Sequence, residues 1–440
     1  MRGFLEKRYA VPDFWYGVLA ATLVLLPFMR IRIDYQYVEL SGASQFIVFV
    51  VGFFGLTLAA RVKVSSIKTL LRDRATVLLG LWCIYSFASV FWGEYPLLSL
   101  KRAILAIFPA VMVYLAAALV LQPEKVAKGF VIGLAVVTAV CVVYALVGLI
   151  ADLWNTPSGG RHATVYLFGM EFSQALGQRL FHINGELIQL QRFSGFFPNP
   201  NGLGLVAATC VLLLLGIRQY AQPRSGVLLA IMFAGVILSG SRSAVLFLTS
   251  GFLYSFLCRA VDYRFVAIVM VIGALSIPGM IVLTESGMFQ FSPLPVWVFQ
   301  QEALTATTRG TYLLEASRAA LTHWIFGGGF GVGAELSFGD YAEDMAVHSV
   351  FLNAIIETGV VGLALLLVMW INFVFAGSRM DHVNVETHKL MVCVSAALMA
   401  LFVAQSVDLS ISRFHYIHLM FFFLLGLVSS FQRVELEKKV

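Results

Sequence analysis

Three segments of the chain combine arginine, asparagine, glycine and histidine in patterns suited to holding an anion and moving a proton. Residues 191–204 read QRFSGFFPNPNGLG. Asn199 is a good helix N-cap and Pro200 a good first helical residue. A helix starting there presents unpaired N–H groups, which attract anions. Residues 238–244 read LSGSRSA and set Arg242 among small residues between two apolar stretches. An arginine beside hydrocarbon is costly unless paired or turned to a polar cavity, which marks the position as functional. The third segment runs from TTR at 307–309, through IFGGGFGVG at 325–333, to HSVFLNAIIETGVVG at 348–362. The imidazole of His348, with an ordinary pKa near 6.5, suits abstraction of a hydroxyl proton near neutral pH. The glycine run lacks the GK[ST] ending and the preceding strand of a nucleotide-binding loop. It reads as a flexible loop over a site. Glu357 falls on the opposite helix face from His348 and reads as a packing or hydrogen-bonding residue.

Other chemistries fail at this level. The chain has no HExxH and no GxSxG. His415 and His418 share a helix face without a third ligand, so no metal is expected. Asp340, Glu343 and Asp344 read as a solvated loop face. The five cysteines, Cys83, Cys141, Cys210, Cys258 and Cys393, lie far apart in apolar stretches and imply neither a disulfide framework nor a zinc site.

The elements that position these residues are membrane helices. The sequence is 60% hydrophobic and 12% charged, well away from a soluble globular composition. Its apolar runs match the length needed to cross about 30 Å of hydrocarbon. The hydropathy predicts about twelve spans, at 14–29, 43–60, 75–92, 102–121, 129–151, 199–217, 225–240, 243–258, 265–283, 350–376, 390–408 and 415–431, with a half-helix entry after His348. Of the 30 lysines and arginines, 19 fall in one alternate set of loops and 11 in the other. The positive-inside rule therefore places both termini in the cytoplasm. Ten of the 11 outer cations are arginine, against 11 of the 19 inner ones. Arginine's planar fork matches phosphate oxygens two at a time. Two long outer segments, 152–197 and 284–347, are predicted to be ordered. The second is predicted to hold a surface helix over 311–326. No basic run interleaved with aromatics points to nucleic acid, and the net charge of +6 reads as topology. The fold class expected is an all-α membrane protein with a single polytopic domain.

In this order on this scaffold, RFSGFFPNPNGLG, LSGSRSA, TTR, the glycine run and HSVFLNAIIETGVVGL resemble the O-antigen ligase and O-antigen polymerase superfamily, over residues 192–362. The resemblance implies a membrane-embedded, metal-independent glycosyltransferase of the inner membrane with its site facing the periplasm. Its donor would be a glycan linked to undecaprenyl pyrophosphate and its acceptor lipid A–core oligosaccharide. The polymerase alternative joins lipid-linked repeat units. A lipid-linked glycan flippase is the rival outside the transferases. By position the resemblance assigns Arg242, Arg309 and His348 to catalysis. Arg192, Asn199, Asn201 and Arg318 would bind the pyrophosphate or glycan. No cofactor is implied.

Overall fold

A computed structural model describes residues 13–33, 36–38, 40, 42–59, 68–154, 162–167, 170–183, 186–217, 224–285, 303–339, 347, 349–378, 385–406 and 415–439. The helices are α1 (Asp13–Leu25), α2 (Gly42–Ala59), α3 (Arg74–Ala88), α4 (Pro96–Ala118), α5 (Pro123–Trp154), α6 (Pro200–Ile217), α7 (Arg224–Ser239), α8 (Arg242–Leu257), α9 (Tyr263–Glu285), α10 (Ala303–Thr322), α11 (Gly333–Phe338), α12 (Val350–Ser378), α13 (Val385–Ala404) and α14 (Tyr416–Lys439).

Their starts follow local chemistry. The Asp73 side chain accepts a hydrogen bond from Thr76 N at 3.2 Å and caps α3. Proline opens α4, α5 and α6, where its missing N–H costs nothing. Among the described residues, seven helices are long and apolar enough to cross a membrane: α4, α6, α12, and segments Arg74–Phe91, Pro123–Ile150, Thr387–Ala404 and Tyr416–Val434. Five shorter apolar helices lie at Asp13–Phe28, Ser44–Leu56, Gly226–Ser239, Arg242–Leu257 and Tyr263–Pro278. The protein is thus a multi-pass helical membrane protein.

The most enclosed crossings are α6, α13 and α14, with 83%, 78% and 89% of their apolar windows buried by other parts of the chain. Around this centre, small residues let helices touch. A Cβ on Gly17 of α1 would lie 2.0 Å from Val126 O of α5, and one on Gly129 of α5 would lie 1.9 Å from Phe14 O. Backbone contact of this kind is how membrane helices associate without a hydrophobic driving force.

The helical reading holds for the apolar bundle, but the segments joining it add a five-stranded antiparallel sheet that was not anticipated. Strands β1 (Ile31–Ile33) and β2 (Gln36–Val38) come from the α1–α2 connection. Strands β3 (His162–Leu167), β4 (Met170–Ile183) and β5 (Glu186–Phe193) come from the α5–α6 connection. The path is β2-β1-β4-β3, with β5 pairing the far half of β4. In register, Arg32 faces Ser173, and Gln191 faces Gln178. Asn184 and Gly185 separate β4 from β5, and Asn-Gly is the strongest short-range hairpin signal. The β1–β4 pairing and the bond from Arg30 N to Phe196 O at 2.8 Å put both connections at one end of the bundle, here called the sheet end.

The helix expected over 311–326 is observed as α10, ending at Thr322. Leu313, Ala316 and Ala320 lie on its buried face, and Ala316 and Ala320 pack with Val347, Ile356, Leu336 and Phe338. Residues 324–326 turn away instead of continuing the helix. The half-helix entry is borne out. Gly359 has φ +67° and breaks α12 into 350–358 and 360–378. A Cβ at Gly359 would lie 2.0 Å from Ile325 O. Gly359→Ala is therefore expected to destabilise the fold by more than about 1–3 kcal/mol, read as a lowered melting temperature in detergent. An unchanged melting temperature would contradict the break.

Candidate functional site

At the sheet end, three elements converge on Arg192. Its Nε donates to Ser239 O, the last residue of α7, at 2.9 Å, and its Nη2 donates to Asn201 Oδ1 in the first turn of α6. Gly240 follows with φ +51°, and a Cβ there would fall 3.2 Å from Arg192 Cγ. Ser241 then caps α8 by accepting from Ala244 N at 3.3 Å. Arg242 is the first residue of α8 and is exposed.

The α6 start is built as its sequence foretells. Asn199 Oδ1 accepts from Gly202 N at 2.9 Å. Two glycines in this turn are demanded by neighbours. A Cβ on Gly202 would overlap the Tyr416 hydroxyl at 1.7 Å, and one on Gly204 would lie 2.5 Å from Ser239 Oγ. The first two motifs, distant by about forty residues in sequence, thus form one cluster of Arg192, Asn199, Asn201 and the turn carrying Arg242. Two helix N-termini, those of α6 and α8, open at the same place. Such termini favour anions.

The third motif is partly placed. His348 lies outside the described residues, as do Asp340, Glu343 and Asp344. Its neighbours Val347 and Ser349 are fully buried. Val350 N donates to Gln405 O at 3.0 Å, which sets the start of α12 against the end of α13. α13 in turn packs on α8 and α6. Arg309 lies on α10, and its side chain is outside the description. Arg318 Nη1 meets Glu315 Oε1 at 2.6 Å on an exposed face of α10. Among the described residues no contact links Arg318 to the Arg192 cluster.

The glycine run is not the flexible loop expected of it. It is a strap bonded along its length between the α3–α4 corner and the half-helix of α12. Gly328 N donates to Ile356 O at 2.8 Å, and Gly329 N to Glu357 O at 2.9 Å. Phe330 N donates to Ser89 Oγ at 2.9 Å, and Ser99 Oγ donates to Phe330 O at 2.8 Å. Positive φ at Gly327, Gly329 and Gly331 permits this path. Glu357 is buried and accepts from Gly333 N at 3.2 Å, which matches its reading as a hydrogen-bonding residue. Beyond the strap, Arg102 of α4 forms a two-point pair with Glu335 of α11, both contacts at 2.6 Å. Sequence reasoning missed this pair, because 233 residues separate its members and neither sits in a motif.

His415 and His418 are drawn into packing. His418 Nε2 lies 3.0 Å from Ala106 O, next to the turn interrupted by Pro109. The His415 ring lies 6.1 Å from Phe28 and 3.7 Å from Tyr416.

No curated protein matches this chain. Residues 227–367, which run from α7 through Arg242, Arg309, Arg318 and position 348 into α12, match the O-antigen ligase family, and this match supports the resemblance to the O-antigen ligase and O-antigen polymerase superfamily.

Proposed function

We propose that this protein is an O-antigen ligase of the bacterial inner membrane. It takes a glycan from undecaprenyl pyrophosphate and passes it to lipid A–core oligosaccharide at the periplasmic face. The superfamily works on lipid-linked glycans, and the match over residues 227–367 is the observation that carries this reading. In it, the seven long and five shorter apolar helices make twelve crossings, with both termini cytoplasmic and the sheet end periplasmic. Segments 152–197 and 284–347 are then the two long periplasmic loops.

The chemistry is an inverting displacement at the sugar C1. The acceptor hydroxyl loses its proton to His348 as its oxygen attacks C1. The C1–O bond to the pyrophosphate breaks, and its electrons leave on the phosphate oxygen. Arg242 and Arg309 stabilise that growing charge, with Arg192, Asn199, Asn201 and Arg318 contacting the pyrophosphate or the glycan. Donors fixed where charge develops contribute most when they need not reorganise. The bonds from Arg192 to Ser239 and Asn201 supply that fixity at the base of Arg242.

The test is a transfer assay with purified protein, lipid-linked glycan and two alternative acceptors. Transfer to lipid A–core supports the ligase. Extension of a lipid-linked repeat unit instead makes it the polymerase. Glycan movement across vesicles without a new glycosidic bond would make it a transporter. Guanidinium groups replace a metal in this scheme, so activity is expected to survive a chelator unchanged. Strong chelator inhibition would point to Asp340, Glu343 and Asp344 as a cation site.

A further inference from the structure

A helix that breaks leaves its last carbonyl groups without the N–H groups of a following turn, and inside a membrane other parts of the chain must satisfy them. α12 breaks at Gly359. Val360 N, which in an unbroken helix would bond Ile356 O, donates to Trp324 O at 2.7 Å instead. The carbonyls of Ile356 and Glu357 are taken by the glycine strap, through Gly328 N at 2.8 Å and Gly329 N at 2.9 Å. The Glu357 carboxylate accepts from Gly333 N at 3.2 Å. The half-helix 350–358 is thus uncoupled from 360–378 and joined to the strap. Its other end, two residues after His348, is tied to α13 through Val350 N and Gln405 O. That single bond fixes a point. The bonds at the break fix a direction, because they are spread over two successive carbonyls and a side chain.

The strap is tied in turn to the α3–α4 corner. Glu94 N donates to Gly328 O at 3.0 Å, and Ser89 and Ser99 bond the two sides of Phe330. Arg102 of α4 closes the strap's far end. Its guanidinium donates to both carboxylate oxygens of Glu335 at 2.6 Å, and also to Gly331 O. Gly331 has φ +80°, and a Cβ there would lie 2.7 Å from Arg102 Cβ. Glu335 stands in the first turn of α11, which follows the strap directly. One guanidinium therefore holds the backbone of the strap and the helix after it. A planar fork can do this where a lysine cannot.

The rival role for Arg102 is one more contact to an anionic substrate, since its side chain is 34% exposed. The geometry speaks against it. The fork is committed to the Glu335 carboxylate, and gripping an anion would mean giving up that pair.

We infer that Arg102 and Glu335 are positioning residues. Their pair clasps the strap, and through the strap it sets the direction of the half-helix that begins beside His348. The histidine's part in the reaction rests on the transferase reading, but the hold on the half-helix does not.

The experiment uses the full chain in nanodiscs. A catalytic group displaced by about 1 Å can lose on the order of 10²-fold in rate. Arg102→Ala and Glu335→Ala are each expected to lower kcat about ten- to hundredfold, with donor and acceptor KM within about twofold of wild type. The double variant is expected to be no worse than either single one, as for two residues that act as a unit. Arg102→Lys is expected to recover only part of the loss. Glu335 separates the clasp from a substrate contact, because a carboxylate repels pyrophosphate. Full kcat in Glu335→Ala together with a raised donor KM in Arg102→Ala would make Arg102 a substrate contact and overturn the inference.

Deuterium exchange without substrate reads the clasp directly. Amides of 350–358 are expected to exchange about tenfold faster in both alanine variants, while those of 360–378 keep the wild-type rate. Glu335→Gln keeps the shape but not the charge, and is expected to move exchange in the same direction by less. It serves where an alanine variant does not fold. Unchanged exchange across 350–358 in the variants that fold would overturn the clasp. If the wild type forms no glycosidic bond yet exchange quickens in these variants, the transferase reading fails and the clasp stands.

Discussion

His348→Ala is expected to lower kcat by about 10²–10⁴-fold, the usual contribution of a positioned general base. The variant should still insert and bind donor, because position 348 lies two residues before α12 in the sequence. The backbone flanking it is held independently. Val347 and Ser349 are buried, and Val350 N is bonded to Gln405 O. The pH profile checks the role separately. With a neutral imidazole as the active form, kcat/KM should rise with pH through a value near 6.5. A profile flat from pH 5 to 8 in the wild type, or full turnover in His348→Ala, would remove the histidine from the mechanism.

The second large effect falls on the guanidinium groups. Arg242→Ala and Arg309→Ala are each expected to cost about 10²–10³-fold in kcat, the scale seen when one donor to a developing negative charge is removed. Arg242→Lys separates charge from geometry. Lysine keeps the positive charge but not the planar fork, so severe impairment is expected if two oxygens are held at once. Arg242 is suited to such a contact because it stands exposed at the first position of α8, on a turn clamped by Arg192. Full activity of the lysine variant would rule out two-point contact. Intact donor binding with unchanged kcat in both alanine variants would sink the pyrophosphate site altogether.

The bundle was legible in the sequence because lipid imposes one strong rule, that long apolar runs become helices. The entry to α6 was legible too. Asn199 and Pro200 are local signals with local consequences, and the cap forms as their types dictate. The half-helix before Gly359 was readable as an apolar stretch opening on a histidine. What escaped was non-local. The Arg102–Glu335 pair joins α4 to α11, and nothing near either residue announces the other. The glycine run looked flexible because glycine permits motion. Here the same freedom instead lets a backbone thread closely between two helices, at angles other residues resist. The sheet was missed because its strands mix polar and apolar residues without the length of a span. Of the candidate site, the sequence singled out Arg192, Asn201 and Arg242, and the fold brings Arg192 and Asn201 together with the turn that carries Arg242. It did not foresee that Arg318 would turn to Glu315.

The enclosure of α13 and α14 has a consequence for biogenesis. Both follow in chain order nearly every helix they pack against, yet they occupy the middle of the assembled bundle. During synthesis, the earlier spans must therefore wait in the bilayer as a ring around a lipid-filled gap. The late arrivals then displace that lipid and complete the packing around α6 and α8. Nascent chains halted before α13 would be membrane-inserted but hollow, and open to quality-control proteases along surfaces that the mature protein never exposes.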